Sequence, residues 1–432
     1  MTGKNLFVVA AVWGLALQAA SSGPLKLSGA CDRPSCLYAC GETATVLVTA
    51  CDASGPVREG RLTLLVDDFG TNVVRTVEAD FAVENPVRVK ISRKTPGFLR
   101  VVAKRPGRAD WCWGVGFDPQ RIVKGSPSPR DFDAFWSRAR ARLDREVPPD
   151  IRLERVAERS PSGFDFYRIS LATFGRRVYG YLSVPTDKSK GPFRTEVSVA
   201  AAGFGDWTND MGGSSNSVNL FFSVYPFEPD WRWKELKLER RYAEFEKTCR
   251  ERYGTGYPTA GLAVSREEYF YYAAILGIAR AVDWLSAQPY VDGRHFVYRG
   301  TSQGGGIGLA LCALTGKFSA AALYVPALTD IMGYRAGRVS GWPRAVEAQR
   351  PESRAAAARH APYFDGANFA ARITCPVRVA AGLCDTTSPP SAVYATYNAL
   401  KSKDRQIGAF PGMGHNVENR VHAWLAPWLR ER

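Results

Sequence analysis

The chain has 432 residues, of which 45% are hydrophobic and 23% charged, with a net charge of +15. This composition excludes a disordered chain, and the length suits two domains better than one. The basic residues are scattered without any nucleic-acid motif, which points to a basic surface and no nucleic-acid partner.

Residues 1–22 read as a signal peptide. Lys4 precedes an apolar run from Leu6 to Ala20, and the small residues Ala19, Ala20, Ser21 and Ser22 mark the cleavage region. The run is too short to span a bilayer comfortably. No later segment is apolar enough to do so, so the expectation is a secreted or periplasmic protein with no membrane attachment after cleavage.

Residues 24–120 carry short alternating runs, "ATVLVTA", "RLTLLVDD", "NVVRTVEADFAV", "VRVKIS" and "FLRVVAKR", separated by Gly, Pro and Asp. That spacing predicts an N-terminal antiparallel β-sandwich module. Five of the nine cysteines (Cys31, Cys36, Cys40, Cys51 and Cys112) fall in the first 112 residues, which predicts one or two disulfides there. Their irregular spacing and the lack of a nearby histidine argue against zinc. Cys249, Cys312, Cys375 and Cys384 are expected as buried thiols.

The linker "KGSPSP" leads to Asp131, a candidate N-cap, and an amphipathic helix with Phe132, Phe135 and Trp136. From residue 127 to 432, strand-like and helical runs alternate, which predicts a mostly parallel, doubly wound sheet. Within it, "VYRGTSQGGG" sets Gly300-Thr301-Ser302-Gln303-Gly304 between a strand and a helix. In that context a G-x-S-x-G string lifts a serine hydroxyl off the sheet as a nucleophile. A serine needs a base, and the base needs an orienting carboxylate. Downstream, Asp385 follows the strand "VRVAAG", and His415 lies in "FPGMGHN" after the last strand. Asp404 is the rival acid and His422 the rival histidine. One oxyanion donor is expected at the Gln303 N–H, the other at Phe204 or next Gly205, after "EVSVAAAG".

These residues bring in a family. "DFDAFW", the stretch from "YYAAILGIARAVDWLSA" through "RGTSQGGG", and "YFDGANFAARITCPVRVAAGLCDTTSPP" resemble the acetyl xylan esterase and cephalosporin C deacetylase family, carbohydrate esterase family seven. The resemblance covers about residues 127–432 and implies an α/β-hydrolase. It implies Ser302 as nucleophile, Asp385 as acid, His415 as base, and backbone oxyanion donors at Gln303 and Phe204. It also implies Pro326 in a narrow acyl pocket, no metal or other cofactor, and an acetylated plant polysaccharide or oligosaccharide as substrate. The family's simple members form hexameric rings, so a homo-oligomer is implied unless the N-terminal module blocks it. Two departures stand out: Asn416 replaces the family's glutamate after the histidine, and the family's Arg-Gly-Gln segment is missing from "FFSVYPFEPDWR". The aromatic stretch 221–233 reads as packing or as a sugar-stacking platform. Two other readings stay open, a prolyl-oligopeptidase-type peptidase and a non-catalytic glycan-binding protein.

Overall fold

The computed structural model describes residues 25–69, 72–105, 110–203, 212–230, 232 and 237–432. The expected signal peptide, Phe204 and Gly205 lie outside the described residues.

Among the described residues, nine strands form the N-terminal module. They are β1 (Lys26–Cys31), β2 (Leu37–Tyr38), β3 (Thr43–Asp52), β4 (Gly55–Pro56), β5 (Arg61–Asp67), β6 (Val73–Asp80), β7 (Val87–Ser92), β8 (Gly97–Ala103) and β9 (Trp111–Phe117). One sheet runs β1-β3-β4 with β7 also paired to β3; the other runs β2-β9-β8-β5-β6. All pairs are antiparallel except β2 with β9. The alternation in the sequence explains the burial. In β7, Val87, Val89 and Ile91 point inward while Arg88, Lys90 and Ser92 face out. Inward residues of both sheets, such as Val46, Val89, Leu64 and Val101, share one apolar cluster. Strands β1 and β9 escaped the sequence pattern, because β1 has few apolar residues and β9 is interrupted by Gly114 and Gly116.

Helix α1 (Phe132–Glu146) begins the second part. Its aromatic face packs on Tyr363, Phe364 and Phe369, and the Trp136 indole N–H donates to Tyr363 O at 3.1 Å. Asp131 occupies the N-cap position but makes no capping hydrogen bond. Its carboxylate instead accepts from the Tyr363 hydroxyl, a stronger local partner than the helix N–H groups.

The central sheet has nine strands: β10 (Arg152–Arg155), β11 (Phe164–Thr173), β12 (Arg176–Pro185), β13 (Phe193–Val199), β14 (Ser217–Ser223), β15 (Val291–Thr301), β16 (Ala320–Tyr324), β17 (Val377–Gly382) and β18 (Arg405–Phe410). Their order is β10-β11-β12-β14-β13-β15-β16-β17-β18. The sheet is mixed. Pairings from β14 to β18 are parallel, while those from β10 to β14 are antiparallel. Between them run α2 (Leu238–Tyr253), α3 (Phe270–Ser286), α4 (Gln303–Thr315), α5 (Arg354–His360), α6 (Gly366–Ala370), α7 (Pro390–Asn398) and α8 (Asn419–Arg430). The most apolar helices are the most buried: α3 hides thirteen residues and α4 packs along β15. Helix α2 was not foreseen, since its sequence is mostly charged and it buries only Leu238 and Cys249.

The cysteines depart from expectation at two positions, Cys375, which is only partly buried, and Cys384. Cys31 pairs with Cys36 inside the first quarter, but Cys112 pairs with Cys384, which is therefore not a free thiol. A sequence shows no link between points 272 residues apart; only the approach of β9 to the segment after β17 brings them together.

Two buried carboxylates hold the linker and the loop after β16. Asp330 accepts from Gly125 N–H at 2.6 Å and pairs with Arg338 at 2.7 Å. Asp365 accepts from the N–H groups of Ile331 and Ala367, each at 2.9 Å. Burial, and then the nearby Asp330 charge, push the Asp365 carboxyl up to about 7. Above its unfolded value the free chain sheds this proton while the folded chain keeps it. The stabilisation is complete at low pH and is lost as pH rises toward 7. Urea unfolding should therefore show wild-type stability falling relative to Asp365→Asn between about pH 4 and about pH 7. Parallel pH profiles would contradict this.

Candidate active site

Ser302 sits between the end of β15 and the start of α4 with φ 53° and ψ −119°. A side chain is strained there, so its surroundings must fix it. Ser302 N–H donates to Tyr324 O at 2.9 Å, and Ser302 O accepts from Ala327 N–H at 2.8 Å and Gly306 N–H at 3.0 Å. The Tyr298 hydroxyl donates to Gly304 O at 2.5 Å. The motif's glycines answer to close packing. A Cβ on Gly304 would lie 2.1 Å from Val199 O, and one on Gly300 would lie 2.5 Å from Gly304 O.

The structure brings Ser302, Asp385 and His415 together. His415 Nε2 is 2.8 Å from Ser302 Oγ, and Nδ1 is 2.8 Å from Asp385 Oδ2. Asp385 is fully buried, just past β17, and its Oδ1 accepts from the N–H groups of Thr387 at 2.8 Å and Ser388 at 2.9 Å. The Asp385 carboxylate thus faces His415 Nδ1 and two backbone N–H groups. With Nδ1–H donating to Asp385, the lone pair of Nε2 faces the serine hydroxyl. Such a row can remove a proton from Ser302 and return it. The rivals lie elsewhere: Asp404 pairs with Arg378 at 2.7 Å, and the exposed His422 stacks near Tyr324.

The Gln303 N–H opens α4, where a helix leaves its N–H groups without intrahelical partners. The sequence pointed only to this backbone group, but the side chain also has a task. Its Nε2 donates to Ala200 O at 3.1 Å, and its Oε1 accepts from the hydroxyls of Tyr271, at 2.6 Å, and Tyr257. Burial pushes both tyrosines well above their ordinary range, so both remain donors. Gln303 thereby ties the serine turn to Ala200, just past the end of β13. Nothing in the spacing announced this bond; a glutamine can make it because its amide both donates and accepts.

Pro326 is buried beside the turn, and a Cβ on Gly305 would come within 3.0 Å of it. Its loop holds Val325, Leu328 and Asp330 at positive φ, a conformation that tight surroundings must enforce. In the aromatic stretch, Phe221, Phe222 and Tyr225 are buried, and Tyr225 packs on Phe227, Phe245 and Tyr257. These residues serve packing, while Trp231 and Trp233 lie outside the described residues.

The acetyl xylan esterase (AXE1) family profile matches residues 121–431. The chain belongs to the acetyl xylan esterase family. It is thus a carboxylic ester hydrolase. The acetyl esterase Axe7A of Xylanibacter ruminicola is 29% identical over 349 residues, covering 78% of this chain and 75% of the relative. The acetyl xylan esterase from Paenibacillus sp. R4 superposes with a TM-score of 0.57 at 22% identity, over 72% of this chain and 98% of that one. Acetyl xylan esterase 1 from Thermoanaerobacterium sp. JW/SL YS485 gives 0.55 at 20% identity, over 72% and 97%. At these identities the two structures speak for the α/β-hydrolase fold.

Replacing Gln303 with alanine should remove the shared acceptor of two buried tyrosine hydroxyls and open a cavity. The expected loss is about 3 kcal/mol in denaturant unfolding. A loss below about 1 kcal/mol would show that the side chain is not the tie described.

Proposed function

We propose that the chain is a secreted or periplasmic serine esterase that removes acetyl groups from acetylated xylan or xylo-oligosaccharides. The observation that carries this reading is the continuous 2.8 Å row from Asp385 through His415 to Ser302, in a member of the acetyl xylan esterase family. Ser302 Oγ attacks the acetyl carbonyl carbon while His415 Nε2 takes its proton. The oxyanion rests on the N–H groups of Gln303 and Phe204. The tetrahedral intermediate collapses, the ester C–O bond breaks, and His415 protonates the departing sugar alkoxide. Water then attacks the acetyl-serine with His415 again as base, releasing acetate and restoring the serine hydroxyl. Pro326 walls a pocket sized for acetyl.

In the same reading residues 1–22 are the export signal, and residues 24–120 are a β-sandwich whose two sheets share one core. Residues 127–432 are the catalytic domain. The name of the Xylanibacter ruminicola relative, an acetyl esterase, supports the acyl group.

Acetate release from p-nitrophenyl acetate and acetylated xylan tests the chemistry. Ser302→Ala should lower kcat roughly 10³- to 10⁶-fold, and Asp385→Asn roughly 10³- to 10⁴-fold. Rates should fall from acetate to butyrate to octanoate esters. A Ser302→Ala protein as active as wild type would remove the nucleophile assignment, and equal rates on long acyl chains would remove the pocket.

A further inference from the structure

Strand β9 sets three consecutive residues against the loops that carry Asp385 and His415. Cys112 is disulfide-bonded to Cys384, the residue directly before Asp385, with Cα atoms 6.1 Å apart. Trp113 lies over Gly412, where an added Cβ would meet the indole at 2.8 Å. Gly114 N–H donates to Pro411 O at 2.8 Å. A Cβ on Gly114 would stand 2.0 Å from Leu383 O, so the approach requires glycine. The two loops are also bonded to each other, by Leu383 N–H to Phe410 O at 3.0 Å and Cys384 N–H to Met413 O at 2.9 Å. Behind the acid loop, the Phe98 ring of β8 packs on Tyr394 of α7. The Asn398 amide donates to the carbonyls of Pro119 and Ile122 at 2.9 and 2.8 Å.

We propose that Cys112, Trp113 and Gly114 are positioning residues for the acid and the histidine. The N-terminal module then completes the esterase site instead of being an appendage to it. The proposal rests on the Ser302–His415–Asp385 reading above. Asp385 and His415 both stand on irregular loops, which open more readily than strands or helices. Proton transfer along their row needs contacts near 3 Å, and a displacement of about 1 Å can cost roughly a hundredfold in rate. Strand β9 is held in its own sheet between β2 and β8. Its disulfide restrains the carboxylate's neighbour covalently, and its Gly114 bond restrains the start of the histidine loop. All three residues precede residue 121, where the family match begins. This support therefore lies ahead of the stretch that the family profile matches.

The test compares the full-length wild type with Cys112→Ser and, as a control, Val48→Ala. Val48 is fully buried in the module's core on β3, which pairs with β1, β4 and β7 and not with β9. Assays on p-nitrophenyl acetate run well below each unfolding midpoint, alongside proton NMR of the low-field imidazole Nδ1–H signal. Cys112→Ser should lose roughly ten- to a hundredfold in kcat with KM within about twofold, and its low-field signal should shift or broaden. Val48→Ala should lower the denaturation midpoint and keep both kcat and the signal. Reducing wild type with a water-soluble phosphine should reproduce the kcat loss, reoxidation should restore it, and Cys112→Ser should not respond. If Cys112→Ser does not fold, reduction of a Cys31→Ser/Cys36→Ser protein, which keeps only the Cys112–Cys384 disulfide, decides. An unchanged kcat and low-field signal in the disulfide-free protein would overturn the positioning role. A wild-type burst of p-nitrophenol that Ser302→Ala abolishes would still leave the proposed function standing in that case. Absence of any such burst dependence on Ser302 would overturn both.

Discussion

Two hydrogen bonds of 2.8 Å, with His415 at their centre, set the demands on everything around them. Each of the three residues comes from a different loop, and each loop leaves a different strand of one sheet. The parallel run from β13 to β18 sends its strand ends to the same edge, which is where an α/β sheet gathers its chemistry. The strained backbone of Ser302 at φ 53° is tolerable only because Tyr324, Ala327 and Gly306 bind its peptide groups. The glycines at 300 and 304 let that turn sit against Val199 without collision. The same demand explains the caged Asp385, whose second oxygen is fully engaged by backbone N–H groups.

Much of this could be read in the chain itself. The order serine, aspartate, histidine, with each residue just past a strand, was visible from "RGTSQGGG", "VRVAAGLCD" and "FPGMGHN". The buried helices α3 and α4 were visible because they are apolar around most of their surface. What stayed hidden depends on distance in three dimensions. No local pattern could pair Cys112 with Cys384, bend the Gln303 side chain to Ala200, or turn Asp131 from its helix to Tyr363. Helix α2 and strand β9 stayed hidden for compositional reasons, one too charged and the other broken by glycine. The antiparallel end of the sheet was also missed, since β10, β11 and β12 look in sequence much like parallel strands.

The two parts of the chain are more closely joined than their compositions suggest. One is built of short alternating strands and the other of strands and helices in turn, yet a disulfide, a backbone hydrogen bond and an indole connect them at the catalytic loops. The two solved relatives superpose over 72% of this chain, almost their whole length. Residues 112–114, which bear on the acid and histidine loops, come before residue 121, where the family profile begins.

The most direct measurement is the mass of the enzyme caught at work. The protein would be mixed with p-nitrophenyl acetate, quenched in acid within the first turnovers, digested and sequenced by mass spectrometry. The account predicts one added acetyl group, on the peptide containing Ser302, absent from Ser302→Ala and less populated as substrate runs out. An acetyl group lodged on another residue that turns over at the catalytic rate would contradict it.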